Sequence, residues 1–301
     1  MFTFPDINEA EVLAEPIYGC WEGNMSHAVE RDPVDICRQR REASVVIGNA
    51  GVVRVLQVGA AVKSVKEGDL CLVFCNGVWD DLGYAQQIYA YDAPGTIGLL
   101  AKRTKLREKN LIKIPDGTKF DLRCWAAFSL RYVTAWANWK VAYGCLRLQL
   151  PEDAQRDVHV WGWGGGVTLA ELGLAKFAGC KPAMIASSDE RLELLRRSGL
   201  TPVDRRRFEN LFFDQARYET DATYRKAYQL SEEAFLETVS ELTGDQGVSI
   251  FIDFIGLPVF RVTLKALARP GVITTAGWKE GMHLSVVRAI ECMKWHTHVH
   301  T

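Results

Sequence analysis

Apolar residues in this chain keep one spacing over the first third and another over the rest. Up to about residue 120 they fall in short alternating or continuous segments at 12–18, 44–58, 70–75 and 84–91, which predict β-strands. Turn signals at Gly59, Gly68-Asp69, Asn76-Gly77 and Asp116-Gly117 separate them. The stretch 23–41 is polar and ends on the basic run Arg38-Gln39-Arg40-Arg41, which reads as a solvated face or as a contact for an anionic substrate. At residue 121 the period lengthens. Trp125, Phe128, Leu130, Val133, Trp136, Trp139 and Tyr143 recur at helical spacing and predict one or two helices joining two domains, their rings read as core rather than as a substrate cage.

From Val158 onward strands at 158–162, 182–187, 201–203, 248–254, 271–276 and 293–300 alternate with helices at 167–178, 189–198, 231–242, 258–268 and 284–291. Six strands in that alternation predict a doubly wound parallel sheet. Its first strand enters a glycine run, Gly162-Trp163-Gly164-Gly165-Gly166-Val167, and a helix leaves it. Glycine permits the tight turn and a close approach of backbone to a pyrophosphate, and the helix start offers free N–H groups to it. The stretch 205–230, polar and aromatic, sits where a short turn would suffice. It predicts a segment with structure of its own, covering a cofactor or mediating assembly.

Composition narrows the class without naming the chemistry. The chain has 301 residues, 48% hydrophobic and 24% charged, which is ordinary for a globular protein of one large or two smaller domains. A net charge of −1 gives no reason to expect nucleic acid or an anionic membrane as partner. No stretch approaches a membrane span, and residues 1–6 lack the regions of a signal peptide. The eight cysteines form no C-x2-C pair, so a reducing cytoplasm is the expected setting.

Several stretches resemble the medium-chain dehydrogenase/reductase superfamily. Gly48-Asn49-Ala50-Gly51-Val52-Val53, Val58-Gly59 and Val65-Lys66-Glu67-Gly68-Asp69 are similar to a segment of its GroES-like domain, and Thr134-Ala135-Trp136 to its T-A-Y helix. In the second half Trp161 to Gly166, Ala186-Ser187-Ser188 and Val203-Asp204-Arg205 resemble crotonyl-CoA carboxylase/reductases and related enoyl-thioester reductases. The resemblance implies an α/β protein with a GroES-like β-rich catalytic domain over 1–127. A Rossmann dinucleotide-binding domain follows over 128–301, with an insertion at about 205–230.

It also implies departures. Gly23-Asn24-Met25-Ser26-His27 resembles the G-T-D-x-H motif of zinc alcohol dehydrogenases, but Glu22 precedes it where they carry cysteine. Asn49 and Ala50 replace the histidine and glutamate of G-H-E, and the third ligand position falls near Leu130. A catalytic zinc needs three protein ligands, so a zinc-free protein is expected. Thr168 stands where the last glycine of the phosphate fingerprint is usual, and carboxylation chemistry is not carried over. The family's return segment after the last sheet strand is not in this sequence, so a fragment or an incomplete first domain is expected.

The resemblance places the cofactor on Thr134, Gly162, Trp163, Gly164, Gly165, Gly166, Val167, Ser187, Ser188, Arg191 and Gly277. Ser187, Ser188 and Arg191 suit the 2′-phosphate of NADP(H), because serine donates and arginine pairs with it. Asp189 is the counter-argument, and an N-cap run the plain alternative. The groups expected to orient substrate and stabilise an enolate oxygen are Tyr18, Asn24, His27, Asn49, Asn76, Arg131 and His298. His296, His298 and His300 alternate and share a strand face, open to a metal or to a dimer seam.

Together these imply an NADPH-dependent, zinc-independent reductase of an enoyl thioester, presented on CoA or a carrier protein, working as a homodimer. Basic residues Arg38, Arg40, Arg41 and Arg131 would suit such a phosphate-bearing substrate. A quinone or enone reductase, or a degenerate nucleotide-binding relative without turnover, are the alternatives.

Overall fold

The structure, a computed structural model, describes residues 6–152, 154, 156–277, 279–280, 284–286 and 288–300. The chain divides into two compact units, Met1–Val133 and Thr134–Thr301. The division falls inside one long helix.

Unit 1 is built on a five-stranded antiparallel sheet in the order β6-β1-β2-β3-β7. Its strands are β1 (Glu11–Gly19), β2 (Gly51–Val58), β3 (Leu70–Val73), β6 (Thr104–Arg107) and β7 (Leu111–Lys113). Alternation puts Val12, Ala14, Val53 and Val55 on one buried face with Leu106 and Leu111. A separate hairpin pairs β4 (Asn76–Trp79) with β5 (Ala85–Ile88). Asn76-Gly77, a turn by its residues, therefore opens a strand, and 44–50 carries no strand although its residues suggest one. The polar stretch after β1 folds as two short helices, α1 (Gly23–Glu30) and α2 (Ile36–Arg40).

The basic run that ends α2 is not uniformly a solvated face. Arg40 is 4% exposed. Its Nη2 donates to Glu42 at 2.8 Å and to the Thr96 carbonyl at 2.7 Å, and its Nη1 to the Tyr91 carbonyl at 3.4 Å. It pins the 91–96 loop and offers no charge to solvent, because a buried cation must spend its donors on fixed acceptors. Arg38 and Arg41 are exposed.

The long helix α3 (Leu122–Arg147) is continuous through both units. Unit 2 then forms a six-stranded parallel sheet in the order β10-β9-β8-β11-β12-β13. These are β8 (His159–Trp163), β9 (Lys181–Ala186), β10 (Thr201–Asp204), β11 (Val248–Asp253), β12 (Leu267–Thr274) and β13 (Thr297–His300). The first three run outward from the middle and the last three run the other way, the doubly wound order of a dinucleotide-binding fold. Every residue of β8 and β11 is buried, as expected where helices cover both faces. Those helices include α4 (Gly166–Phe177), α5 (Asp189–Arg197), α7 (Ala222–Thr243) and α8 (Leu257–Ala266). The helix expected at 284–291 is replaced by a π-helical run at Arg288–Met293, with residue 287 outside the described residues.

The 205–230 stretch is helical: α6 (Gln215–Thr220) and the first turns of α7. Asp214 and Asp221 cap the two helix starts, accepting from Arg217 N and from Tyr224 N at 3.0 Å. Tyr218 and Tyr228 meet edge to face, and the Arg261 guanidinium of α8 lies 4.7 Å from the Phe213 ring and 4.9 Å from Tyr218. Beneath them Glu232 accepts from Tyr228 at 3.1 Å and Lys265 at 2.5 Å. The segment is therefore a helical clasp on α8 with its own aromatic core. Replacing Glu232 with Ala should lower stability by about 1–2 kcal/mol. The loss is held down because Arg261 and Lys265 remain partly solvated. An unchanged urea midpoint would refute the clasp as a stabilising element.

Candidate functional site

The carboxyl ends of β8, β9 and β10 meet at one edge of the unit 2 sheet. Parallel register sets Trp163 beside Ile185 and Ala186 beside Asp204, so the turns after these three strands are neighbours. In an open α/β sheet this edge is where ligands bind.

The turn after β8 is shaped by two glycines and one threonine. A Cβ on Gly162 would lie 2.6 Å from Thr168 Cγ2, and one on Gly164 would meet Thr168 Oγ1 and, at 2.9 Å, Phe254 Cβ. Gly164 also has φ +143°, a conformation other residues rarely take. Thr168 is 0% exposed, and its hydroxyl donates to the Trp163 carbonyl at 3.3 Å. The altered fingerprint position thus tightens the packing of turn on helix, rather than adding a hydroxyl for phosphate.

The start of α4 is open in both senses. No side chain caps it, whereas Ser188, Asp214 and Asp221 cap α5, α6 and α7. A Cβ on Gly165 would meet nothing within 4 Å. The first turn of a helix leaves its N–H groups without internal partners, and here neither a side chain nor packing claims them. That cradle fits the pyrophosphate of a dinucleotide.

Around the second turn the charges are already arranged. Arg191 Nη2 donates to the Gly164 carbonyl at 3.0 Å, which draws this guanidinium to the glycine turn. Ser188 accepts from Arg191 N at 3.3 Å and so acts as the α5 cap, while Ser187 is exposed. Asp189 does not stand alone: Arg206 Nη2 donates to it at 2.6 Å and to Asp204 at 2.8 Å. The bonds to Asp204, then Asp189, raise the Arg206 pKa further above its usual value. Arg206 was missed by sequence reasoning. The only signal was the run Arg205-Arg206-Arg207 just past β10, within a segment read as an insertion.

Two further features of unit 2 lie below the site. At the end of β11, burial pushes the Asp253 carboxyl up to about 6, although Ile255 N and Gly256 N donate to it at 2.9 Å. Deeper in, Glu171 of α4 is fully buried and receives Asn138 Nδ2 of α3 at 3.1 and 3.0 Å. Asn138 Oδ1 accepts from Thr274 at 2.6 Å. Burial pushes the Glu171 carboxyl up to about 8. Gly277 lies just past β12, where its N–H donates to Thr275 Oγ1 at 3.2 Å, and Thr134 is half-buried on α3. His298 is exposed on β13 opposite Val272, and His300 lies opposite Thr274. His296 precedes the strand with φ +51°, so the three histidines do not alternate along one strand face.

The unit 1 candidates separate into two sets. The Asn76 carbonyl receives Asn110 Nδ2 at 2.6 Å, and its side chain lies beside Cys75. Tyr18 is exposed at the end of β1, and His27 Nδ1 lies 3.2 Å from the Asp32 carbonyl. Asn24, Asn49 and Arg131 instead converge on the segment that leads from β1 into α1. Cys20 N donates to the Ala50 carbonyl at 2.9 Å, extending the β1–β2 ladder to the neighbour of Asn49. Glu22, two residues on, is ion-paired with Arg131 Nε at 3.0 Å. Burial first, and then the bond to Glu22, pushes the Cys20 thiol up to about 11.

This donor set does not fit a catalytic zinc. Glu22 is committed to a guanidinium, Asn49 offers only a neutral amide, and Leu130 offers nothing. Among the described residues no group of three or more His, Cys, Asp or Glu is placed to hold a metal ion.

No family model matches the chain. Solved structures do. A crotonyl-CoA carboxylase/reductase in complex with NADP is 21% identical at a TM-score of 0.74, over 99% of this chain and 75% of that one. A 2-octenoyl-CoA carboxylase reductase in complex with NADP and 2-octenoyl-CoA is 18% identical at 0.75, over 99% and 68%. An NAD-dependent alcohol dehydrogenase is 21% identical at 0.74, over 99% and 78%. The chain has the two-unit α/β fold of medium-chain dehydrogenases and reductases. At these identities the likeness is one of fold, and it spans proteins described with either nicotinamide cofactor.

Proposed function

We propose that this chain is an NADPH-dependent, zinc-independent reductase of an activated carbon–carbon double bond. The observation that carries the reading is the uncapped start of α4 beside the Gly162–Gly164 turn, with Arg191 and Arg206 at the same sheet edge. Gly164, Gly165, Gly166 and Val167 would hold the pyrophosphate by backbone N–H groups. Trp163 ends β8 beneath them. Ser187, Arg191 and Arg206 would take the 2′-phosphate, with Ser188 fixing the start of α5 and Thr134 and Gly277 flanking the nicotinamide end. Bound NADPH supplies a hydride equivalent; the protein supplies orientation, exclusion of water and stabilisation of the oxygen that gains charge.

NADPH rather than NADH is favoured by the state of Asp189. A carboxylate that accepts from ribose hydroxyls needs free lone pairs, and here Arg206 occupies and neutralises it. Replacing Arg206 with Ala leaves Asp189 and Asp204 facing the phosphate unneutralised. NADPH affinity should then fall about 10- to 100-fold while NADH affinity changes less than threefold, the scale of one charge-assisted contact. Equal losses for the two cofactors would remove Arg206 from 2′-phosphate recognition.

The substrate class follows from chemistry alone. Without a Lewis-acid metal, hydride addition suits the β-carbon of an enoyl thioester, enone or quinone, where the charge lands on an oxygen that hydrogen bonds can hold. An enoyl thioester on CoA or a carrier protein is the leading class. A small free enone or quinone gains weight from one observation: Arg40 is buried and Arg131 ion-paired, so two of the cations suited to a phosphate-bearing substrate are committed elsewhere. Stopped-flow mixing of the protein and NADPH with crotonyl-CoA, cyclohexenone and a benzoquinone decides between them. Absorbance loss with none of these, despite tight NADPH binding, would overturn the reductase reading in favour of a nucleotide-binding protein without turnover.

Assembly as a homodimer through the edge of β13, the last strand of its sheet, belongs to the same reading. Light scattering giving only the mass of one chain would end it. No described helix is long and apolar enough to cross a membrane.

A further inference from the structure

Unit 1 contains a polar cluster that its own packing does not satisfy. Glu22 is 7% exposed and precedes α1 without capping it. Arg131 approaches through Nε, 3.0 and 3.1 Å from the two carboxylate oxygens, and its Nη2 has only the Trp21 carbonyl at 3.5 Å. Among the described residues, the Nη1 end of the guanidinium has no protein acceptor. Among the described residues, Asn49, 1% exposed, has neither amide atom hydrogen-bonded, and Asn24 Oδ1 is buried without a hydrogen-bond partner. A buried polar atom left unmet gives up its hydration and gains no bond in return. Three such atoms on two residues, Asn49 beside the Cys20–Ala50 ladder bond and Asn24 two residues past Glu22, mark a place built for something polar.

We propose that Arg131, oriented by Glu22, and Asn49 form a receptor for a carbonyl oxygen of the ligand. Arg131 is the group that touches this oxygen, and Glu22 is a positioning residue. A carbonyl oxygen accepts two hydrogen bonds, and in this proposal they come from the Arg131 Nη1 group and Asn49 Nδ2. A pure anion site is disfavoured, because Glu22 cancels most of the guanidinium charge at long range while leaving its donors free.

The inference rests on the reductase reading for its chemical consequence. A hydride leaving the nicotinamide of NADPH would form a C–H bond at the β-carbon, the C=C π pair would shift to join the α-carbon to the carbonyl carbon, and the C=O π pair would move onto the oxygen, giving an enolate. That transfer would leave NADP+. A proton from water then completes the α-carbon and the carbonyl re-forms. Arg131 donates to the oxygen throughout and gains strength as the charge grows, which is what a donor must do to accelerate a reaction rather than only bind.

The test compares ligands with and without the carbonyl, in the intact protein. Butyryl-CoA is set against S-butyl-CoA, and cyclohexenone against cyclohexene, by calorimetry without cofactor. The wild-type protein should prefer the carbonyl member of at least one pair tenfold or more, and Arg131→Met should abolish that preference. Glu22→Gln should weaken it several-fold, and Arg131→Lys should restore part of it. Because Arg131→Met leaves Glu22 buried and unpaired, the neutral pair Glu22→Gln with Arg131→Met is measured alongside, with circular dichroism to verify folding. In turnover Arg131→Met should lower kcat about 100-fold.

The wild type showing no carbonyl preference in either pair overturns the proposal, as does a preference that survives in the neutral pair. Carbonyl preference without NADPH oxidation supports the receptor and sinks the reductase reading. NADPH oxidation with unchanged kcat in Arg131→Met does the reverse.

Discussion

Gly164→Ala is expected to raise the Kd for NADPH at least about tenfold and to lower the melting temperature of the free protein as well. The added methyl would meet Thr168 Oγ1 and Phe254 Cβ, and the backbone would have to hold φ +143° with a side chain attached. Thr168 cannot step aside, since it is fully buried and bonded to the Trp163 carbonyl. The turn must therefore move. Strain and overpacking of this kind cost about 1–3 kcal/mol each, and 1.4 kcal/mol is tenfold in affinity. Gly165→Ala is the discriminating partner. Its methyl would enter open space and its φ of −106° is ordinary, so the free protein should keep its melting temperature. NADPH affinity should still fall, because that space is the proposed seat of the pyrophosphate. Wild-type affinity in Gly165→Ala would remove the α4 start as the phosphate site.

The second large effect is on stability and follows pH. The Glu171 carboxyl is pushed up to about 8 by burial, against the opposing bond from Asn138 and an ordinary value of 4.5. Below about pH 4.5 it is protonated folded and unfolded, and it imposes no ionisation penalty. Between about 4.5 and 8 the unfolded chain releases the proton while the folded one keeps it, so stability falls as pH rises. Above about 8 the full penalty is present, on the order of 5 kcal/mol. Glu171→Gln keeps the shape and removes the titration. Urea midpoints for the two proteins should diverge from about pH 5 to about pH 8 and stay apart above it, with the variant gaining. Parallel curves would mean that Glu171 is already ionised in the native state at neutral pH.

The parallel half of the fold was legible because its signals are local and repeated. Strands buried on both faces read as continuous apolar runs, and glycine at 162, 164, 165 and 166 marks a turn wherever it falls between strand and helix. The antiparallel half was read less well. β4, β6 and β7 have three or four residues each, too few for a period to show, and Asn76-Gly77 carries turn residues inside a strand. The helices α1 and α2 were hidden by their polar composition. Within 205–230 the helical clasp was obscured because its aromatic residues pack on each other and on Arg261, rather than forming one apolar stripe.

Side chains showed the same division. In the sequence Arg131 is one of several groups suited to an enolate oxygen or a phosphate-bearing substrate, and Glu22 only a missing cysteine. That they answer each other across 109 positions is a tertiary fact. Arg40 looked like part of a solvated run and is instead a buried pin. Asp189 is the counter-argument to a 2′-phosphate in the sequence, and in the fold Arg206 from beyond the next strand is bonded to it.

The sequence by itself determined the order of the elements, the parallel sheet and the glycine turn that feeds α4, because each depends on residues within a few positions of one another. Only the tertiary structure decided which charges are free and which are spent. A charge acquires its chemical meaning from the atoms that face it in space, and those come from strands and helices far away along the chain.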